Sequence, residues 1–314
     1  MKAAHISAYG PPELLKVKDI DRPPIAPNEV LVKVHYSSVT AADTRIRGAK
    51  FPPGFSILGR LALGITKPRN AILGNSFSGV IEAVGSDVTG YQPGDEVCGM
   101  ARRAWAEYVL VDQAKGITHK PPTVSHEQAA AAMFGGMTAW FFLKHKADIQ
   151  PGSRVLVSGA AGVVGTSTVQ LARALGADVT GIARRDSIGF VESLGAQRCL
   201  PYESNPVESL DERFDVVVDI AGTMSVPDGR RLLEPDGKLV LVTASLLENL
   251  PRKNVITGIA NPKKDDLNPL LEMIERGDYQ PAIDSTYPLA DIAAANRRFE
   301  EGGKQGVVLV KING

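Results

Sequence analysis

The chain has 314 residues, with 35 basic and 35 acidic side chains and a hydrophobic fraction of 44%. This length exceeds the usual size of one domain and favours two. The balanced charge argues against nucleic acid or an anionic membrane as the main partner, because both require a basic surface.

From residue 1 to about 125, short runs of alternating apolar and polar residues are separated by turn residues. Residues 29–36 (EVLVKVHY) alternate, residues 80–84 repeat the pattern, and residues 93–95 (PGD) mark a tight turn before another apolar pair. Such alternation is typical of half-buried strands in antiparallel sheets. We therefore expect an antiparallel, barrel-like unit here.

From about residue 126 the periodicity changes, because buried-looking strands now alternate with helical stretches. Alternating strand and helix predicts a parallel, doubly wound sheet. The predicted strands are residues 154–158, 179–183, 214–220 and 238–243.

The tail changes pattern again. Helical spacing indicates a helix around residues 267–274, residues 291–301 suggest a second, and residues 307–312 read as a final strand. We predict that residues 1–125 and 263–314 form one catalytic domain around a cofactor domain of residues 126–262. Residues 248–258 carry no clear pattern and are expected to be a surface loop near the cofactor.

The most informative local motif is residues 155–165 (VLVSGAAGVVG), a strand that runs into a glycine-rich turn and then a helix. A helix N-terminus after such a turn presents free N–H groups and a positive dipole end to a pyrophosphate. The spacing is that of GxGxxG with alanine at the first glycine. The alternative is that the glycines serve only a tight turn and close packing. The residues predicted to bind are Ala160, Ala161, Gly162, Val163, Val164 and Gly165.

The choice of dinucleotide is predicted by the end of the next strand, where an acidic residue would bind the ribose of NAD. Here Arg184 and Arg185 come first, and guanidinium groups pair well with phosphate. The sequence therefore favours NADPH. The alternative is that both arginines are solvated and Asp186 binds the ribose.

In order along nearly the whole chain, a set of segments resembles the medium-chain dehydrogenase/reductase family, in its zinc-independent quinone-reductase branch. That resemblance implies an α/β protein with a GroES-like β-barrel catalytic domain, a Rossmann cofactor domain with a doubly wound parallel sheet, and a homodimer. The segments are 28–34 (NEVLVKV), 38–43 (SVTAAD), 73–80 (LGNSFSGV), 93–97 (PGDEV), 106–109 (AEYV), 137–139 (MTA), 193–196 (SLGA), 219–222 (DIAG) and 287–289 (YPL).

Zinc-dependent members of that family carry a cysteine and a Gly-His-Glu motif where this chain has Thr40 and residues 74–76 (GNS). Zinc sites are built from Cys, His and carboxylates, so these positions do not supply normal ligands. The two distant cysteines, Cys98 and Cys199, cannot form a four-cysteine lobe, and the five histidines show no paired spacing. We expect no metal site.

The resemblance implies a cleft in which Thr40, Asp43, Asn75 and Thr138 gather near the nicotinamide. Without zinc, hydrogen-bond donors must stabilise the substrate oxygen. Thr40 and Asn75 are the expected donors. Asp43 is expected either to organise the pocket or merely to cap a turn. Thr138 is expected to orient the nicotinamide. Further cofactor contacts are expected at Ala221, Val242 and Thr243.

Two departures from the family pattern limit the choice of substrate. Phe51 stands where relatives carry a tyrosine that can give a proton, and residues 306–308 (GVV) lack the lysine of the relatives' Gly-Lys-Val-Val. The substrate is therefore expected to be a quinone, an enone or another carbonyl compound. Apolar residues near Phe51 suggest a hydrophobic one, although such residues are more often ordinary packing.

Two other functions stay open: a non-catalytic NADPH-binding sensor, and an alcohol dehydrogenase acting on a small hydrophobic alcohol or aldehyde. No window approaches the about 18 continuous apolar residues that span a bilayer, and no targeting segment is evident. A cytoplasmic location is expected by default.

Overall fold

The computed structural model describes residues 1–204 and 206–313. Its first part is mainly strands, with two short helices between the third and fourth. In chain order these are β1 (Lys2–Ile6), β2 (Leu15–Asp19), β3 (Glu29–Val39), α1 (Ala41–Gly48), α2 (Ser56–Leu63), β4 (Phe77–Val84), β5 (Glu96–Gly99), β6 (Tyr108–Asp112) and β7 (Ile117–His119).

The middle part alternates strand and helix. It begins with the long α3 (His126–Trp140), which continues as a π-helical segment over Phe141–Ala147. Then come β8 (Arg154–Ser158), α4 (Val163–Ala174), β9 (Asp178–Ala183), α5 (Ile188–Ser193), β10 (Arg198–Pro201), α6 (Pro206–Ser209), β11 (Phe214–Asp219), α7 (Val226–Arg231), β12 (Leu233–Leu241) and β13 (Val255–Ile256).

These middle strands form one parallel sheet in the order β10-β9-β8-β11-β12-β13. This is the strand order of a dinucleotide-binding Rossmann sheet, with its reversal point between the first and fourth strands, here β8 and β11. Val155, Leu156 and Val157 are fully buried, as expected for a central parallel strand covered on both faces. The predicted doubly wound sheet is confirmed.

The tail contains α8 (Leu267–Glu275), β14 (Ile283–Pro288), α9 (Ile292–Glu300) and β15 (Val307–Lys311). β15 pairs antiparallel with β3, from Val308 opposite Val39 to Lys311 opposite Tyr36. The chain end thus returns to the first part. The resulting sheet has the order β14-β15-β3-β4-β5-β7, with β6 also paired to β3, and it is the predicted barrel-like unit.

Helix α3 lies between the two sheets. It contacts β3, β4, β5 and β15 of the first sheet on one side and α4 of the Rossmann layer on the other. Ala129, Ala130, Ala131 and Ala132 are at most 1% exposed, which explains the small side chains along this helix. α3 therefore fixes how the two units sit against each other.

Some short elements differ from the sequence expectation. Residues 248–258 were expected to form a loop, yet Val255–Ile256 is the sixth strand of the parallel sheet, next to β12. A strand of two residues is too short to show any periodicity. The exact limits at residues 125/126 and 262/263 stay a prediction. In the described residues, no helix is both long and apolar enough to cross a bilayer.

Candidate active site

A cavity of about 290 Å³ opens at the carboxyl ends of β8, β9 and β11, beside the N-terminus of α4. Ligands bind at this edge of doubly wound sheets. Gly159 begins the turn after β8 with a φ of 83°, a left-handed conformation that favours glycine. The turn therefore brings Gly159 and residues 161–164 to the cavity wall.

Two glycines of the turn serve different purposes. A Cβ on Gly165 would overlap the carbonyl oxygen of Gly159, so this glycine is required by the packing of α4 on the turn. A Cβ on Gly162 would meet only that carbonyl, at 3.5 Å. Gly162 is also the N-cap of α4 and offers no side chain to cap the first turn. The space at Gly162 and the uncapped helix start fit a bound phosphate.

Not all predicted cofactor residues border the cavity. Those that do are Ala161, Gly162, Val163, Val164, Arg184 and Ala221. Ala160 is fully buried, and its methyl group packs beneath Gly181 of β9, so only its backbone belongs to the turn. Gly165 packs behind the turn. The side chains of Arg185, Val242, Thr243 and Thr138 are not among the bordering groups.

Arg184 and Lys304 supply the positive charge of the cavity. The guanidinium of Arg184 lies against the tail loop, because a Cβ on Gly302 would be 3.1 Å from its Nη2. Burial lowers the pKa of Lys304, and the nearby Arg298 and Arg184 lower it further, against the opposing effect of Asp284. Like charges held together in a partly dry cavity favour an anionic ligand.

Sequence reasoning missed Lys304. The expected lysine after Gly306 is absent, but Lys304 stands two residues before that glycine, and its Nζ lies 4.2 Å from the ring centroid of Phe299. Tyr202, directly after β10, and Phe134 of α3 also border the cavity. The position of Tyr202 at the end of a strand could have predicted its place at the cavity. The position of Phe134 could not be predicted in this way, because it depends on how α3 packs.

A second group of polar residues surrounds the buried carboxylate of Asp43. Asp43 Oδ2 accepts hydrogen bonds from the hydroxyl of Thr40 at 2.6 Å and from its backbone N–H at 3.0 Å. Oδ1 accepts from the backbone N–H of Gly74 at 2.9 Å and from Asn75 Nδ2 at 2.7 Å. The carboxylate thereby joins the start of α1 to the segment before β4.

These contacts give different meanings to the three predicted catalytic residues. Thr40 and Asp43 form a capping box at the start of α1, and both are 0% exposed. The hydroxyl proton of Thr40 is already donated to Asp43, which argues against its use by a substrate. Asn75 is only half-buried, and its contact with Asp43 uses one of two amide hydrogens. The contact with Asp43 therefore leaves one amide hydrogen of Asn75 unused, whereas it engages the hydroxyl proton of Thr40.

Burial raises the pKa of Asp43 to about 6, against the opposing effect of its four donors. A carboxyl buried in this way depends on the hydrogen bonds that its surroundings donate to it. Thr40 and Asp43 do not border the 290 Å³ cavity, but Ala41, between them in the chain, does. Helix α1, whose first turn this network caps, therefore lies beside the cofactor cavity.

Helix α1 also contacts the Rossmann unit through Arg45, whose Nη2 donates to Thr243 Oγ1 at 3.1 Å. Thr243 follows β12, at the carboxyl edge of the Rossmann sheet. Thr138 lies one helical turn after Phe134 and is 8% exposed. In the parts of the chain that the structure describes, no group of three or more His, Cys, Asp or Glu side chains could hold a metal ion.

Comparisons with known proteins agree with this architecture. The family of alcohol dehydrogenase GroES-like domains matches residues 26–147, and the family described as zinc-binding dehydrogenase matches residues 194–310. The solved structure of the quinone oxidoreductase from Coxiella burnetii aligns with a TM-score of 0.88 at 26% identity, covering 100% of this chain and 99% of that one.

Curated relatives are similar over almost the whole chain. The 2-methylene-furan-3-one reductase of Solanum lycopersicum is 30% identical, over 99% of this chain and 79% of the relative. The quinone oxidoreductase of Rattus norvegicus is 29% identical, over 99% and 97%. The mitochondrial NAD(P)H oxidoreductase RTN4IP1 of Danio rerio is 28% identical, over 99% and 91%. The chain therefore belongs to the medium-chain dehydrogenase/reductase superfamily, in its quinone oxidoreductase-like branch, and is an oxidoreductase that depends on a pyridine nucleotide.

Proposed function

We propose that this enzyme uses NADPH to reduce a quinone, an enone or another carbonyl compound by direct hydride transfer, without a metal ion. The observation that carries the proposal is the cavity at the α4 N-terminus, where Arg184 and Lys304 border the same space as the glycine turn. A helix N-terminus suits the pyrophosphate, and the two cations suit an additional phosphate.

The preference for NADPH rests on the charge at the end of β9. NAD-binding members of this fold place an acidic residue there to bind the ribose hydroxyls. Here Arg184 borders the cavity and the tail adds Lys304, while Asp186 is exposed and its carboxylate accepts from Ser187 Oγ at 3.2 Å. Two cations and no bordering carboxylate favour the 2′-phosphate.

The bound nicotinamide would supply the hydride, and the protein would hold the substrate oxygen. Asn75 donates one amide hydrogen to the substrate oxygen that gains negative charge. Its other amide hydrogen is bonded to Asp43, and this contact holds the side chain in place. Asp43 and Thr40 act as positioning residues, since they hold Asn75 and the start of α1 in place. Phe51 has no proton to give, so the final proton comes from water.

The matched pair Arg184 and Arg185 tests the cofactor assignment, because only the first borders the cavity. We expect Arg184→Ala, and likewise Lys304→Ala, to weaken NADPH binding about 10- to 100-fold with little effect on NADH, since each removes one charge-assisted contact. Arg185→Ala serves as the control. Fluorescence titration giving equal losses for both dinucleotides, or equal losses in the control, would contradict the assignment.

We also propose a homodimer, cytoplasmic location and the domain limits 1–125 with 263–314 and 126–262. β13 ends the Rossmann sheet in the described residues and leaves an edge suited to pairing with a second copy. Sedimentation measures the mass directly, and a monomer at micromolar concentration would contradict the dimer. Fluorescence microscopy of a tagged chain, with mitochondrial signal as the contrary result, tests the location.

A further inference from the structure

A second cavity, of about 420 Å³, lies in the first part of the chain and shares no bordering residue with the cavity at the α4 N-terminus. Small-molecule sites typically measure about 300 to 1,000 Å³. The end of β1, the chain after β2, the segment before β4 and the turn after β5 surround it. We call it the basic cavity, and its bordering polar side chains are His5, Asp21, Arg69, Asn70 and Arg103.

The backbone of β1 holds two sides of the basic cavity together. His5 forms an antiparallel bridge with Ile72, and the backbone N–H of Ala4 donates to the carbonyl oxygen of Trp105 at 2.8 Å. One arginine of the cavity stands three positions before Ile72, and the other stands two positions before Trp105. These contacts therefore bring two arginines that are distant in sequence to the same space as His5.

The ring of His5 has a buried nitrogen that the protein does not satisfy. In the part of the chain that the structure describes, its Nδ1 is the one buried side-chain nitrogen or oxygen without a hydrogen-bond partner. Such atoms are rare in native proteins, and an ion or molecule bound nearby is one explanation. Burial lowers the pKa of His5, the nearby Lys18 and Lys67 lower it further, and Lys16 lies opposite it on β2. The imidazole thus stands among cations, whose effect a bound anion would oppose.

The two arginines of the basic cavity are little used by the fold. Arg103 has a φ of 72°, a left-handed conformation that favours glycine, and strained backbone of this kind occurs often at functional sites. Its guanidinium makes no hydrogen bond or ion pair with any residue that the structure describes. Among the same residues, the side chain of Arg69 donates only to the carbonyl oxygen of Leu61, at 3.0 Å. Both guanidinium groups therefore have donors left for an anion.

The charge around the basic cavity is positive even when its neighbours in sequence are included. Counted over the bordering residues and two positions on either side of each, the chain has six cations and two anions. These are Lys18, Arg22, Lys67, Arg69, Arg102 and Arg103, against Asp19 and Asp21. Within the described chain, Arg22 is the one member of this set in an ion pair, with Glu82 at 3.2 Å. The remaining five cations exceed the two anions, which favours an anionic ligand.

From this arrangement we propose that the basic cavity binds a small organic phosphate that carries hydroxyl groups, at a site separate from the proposed active site. Arginine pairs with phosphate oxygens through parallel N–H donors, so Arg69 and Arg103 bind that group. The ring of His5 adds a donor when it is protonated. The side chains of Asp21 and Asn70 make no hydrogen bond within the described residues and accept from the hydroxyl groups of the ligand. Asp21 also repels a bare phosphate ion, which favours the ester.

The experiment is isothermal titration of the protein, saturated with NADP⁺, with glucose 6-phosphate, inorganic phosphate and glucose at low salt. We expect the sugar phosphate to bind more tightly than phosphate, and glucose not to bind. Arg103→Gly and Arg69→Gln should each weaken sugar phosphate binding at least about tenfold, because each removes a charge-assisted contact. Glycine suits the φ of 72°, so Arg103→Gly should unfold at the same temperature as wild type or higher.

Arg102→Gln is the matched control, since it removes the same charge one position earlier from a residue that does not border the basic cavity. It should change the affinity less than about threefold, as expected for an exposed charge that makes no contact. A second control is Arg184→Ala in the cofactor cavity, which should leave sugar phosphate binding unchanged. Neither titration depends on turnover, so the result is separate from the proposed reductase function.

A further measurement follows the ring C–H protons of the five histidines by NMR over a pH titration. The pKa of His5 should lie below its ordinary value in the free protein. Saturating glucose 6-phosphate should raise it by about one unit, because a nearby phosphate stabilises the imidazolium. His5→Gln identifies the resonance, and the other four histidines should not shift.

Five results would overturn the inference. The first is no sugar phosphate binding at millimolar concentration, and the second is an unmoved pKa of His5. Equal losses in Arg102→Gln and Arg103→Gly would show diffuse attraction rather than a site. Binding lost in Arg184→Ala but kept in Arg103→Gly would place the ester in the cofactor cavity. Equal affinity for phosphate and its ester would contradict the proposed class of ligand.

Discussion

The glycine turn and the Asp43 network form the two sides of the proposed active site, but they are encoded differently. The turn is a continuous stretch of residues 155–165, in which each residue's role follows from its neighbours in sequence. The network joins Thr40 and Asp43 to Gly74 and Asn75, about thirty positions later along the chain, through one buried carboxylate. The proposed cofactor side is thus a local structure, whereas the proposed substrate side depends on how distant segments pack.

The largest effect is expected from Gly162→Val on the cofactor side. The new side chain would meet only the carbonyl of Gly159 within the protein and would fill the space beside the α4 N-terminus. We expect dinucleotide binding to fall at least about 100-fold and turnover to be lost, because the backbone can no longer approach the pyrophosphate. Calorimetry should show nearly wild-type thermal unfolding. Undiminished NADPH binding would refute the assignment of this turn.

On the substrate side, Asp43→Ala should destabilise the fold itself. Removing the carboxylate leaves the N–H groups of Thr40, Gly74 and Asn75 without their acceptor, two of them in fully buried surroundings. Unpaired buried donors cost about 1 to 3 kcal/mol each, so we expect a loss of about 3 to 5 kcal/mol. Urea unfolding at neutral pH measures it, and a loss below about 1 kcal/mol would mean that the network is not the organiser of this side.

The same carboxyl should make stability depend on pH. Burial raises the pKa of Asp43 from 3.8 to about 6, so between these values the folded protein binds a proton that the unfolded chain does not. This bound proton therefore contributes its full stabilisation of the folded state below pH 3.8. The stabilisation is lost as the pH rises through 6, and the loss is about 3 kcal/mol at most. The stability of wild type relative to Asp43→Asn should shrink from pH 4 to pH 7. A difference that grows over this range would contradict the stated direction.

A smaller effect distinguishes Asn75, the proposed hydrogen-bond donor to substrate, from Thr40, which supports the network. Asn75→Ala should lower kcat about 10- to 100-fold, the loss expected for one transition-state hydrogen bond. Thr40→Val keeps the shape but removes a hydroxyl that already donates to Asp43, so we expect its main effect on unfolding free energy, with a smaller change in kcat. Steady-state kinetics with urea unfolding of both variants separate the two roles. A larger fall in kcat for Thr40→Val would restore the threonine as the donor.

The sequence was sufficient for much of the fold because its strong signals are local. The strands at residues 154–158 and 214–219, the helix starting at Val163 and the returning strand β15 all follow from periodicity. β13 escaped prediction because two residues have no periodicity. Lys304 escaped prediction because it stands three positions before the place where the lysine was expected, and only the folded tail loop brings it beside Arg184. Likewise, the sequence did not predict that the Thr40 hydroxyl donates to Asp43, because this contact depends on the folded arrangement of the two side chains.

Deuterium transfer tests the central claim most directly. Protein dialysed exhaustively against a chelator is given NADPH deuterated at C4 and oct-1-en-3-one, and the product is analysed by mass spectrometry. We predict that one deuterium appears on carbon in the product, at a rate that neither dialysis nor added zinc changes. Activity that disappears on dialysis and returns with zinc would contradict the metal-free mechanism. Absence of transfer to this enone and of NADPH oxidation with aldehydes and 9,10-phenanthrenequinone would contradict the reductase itself.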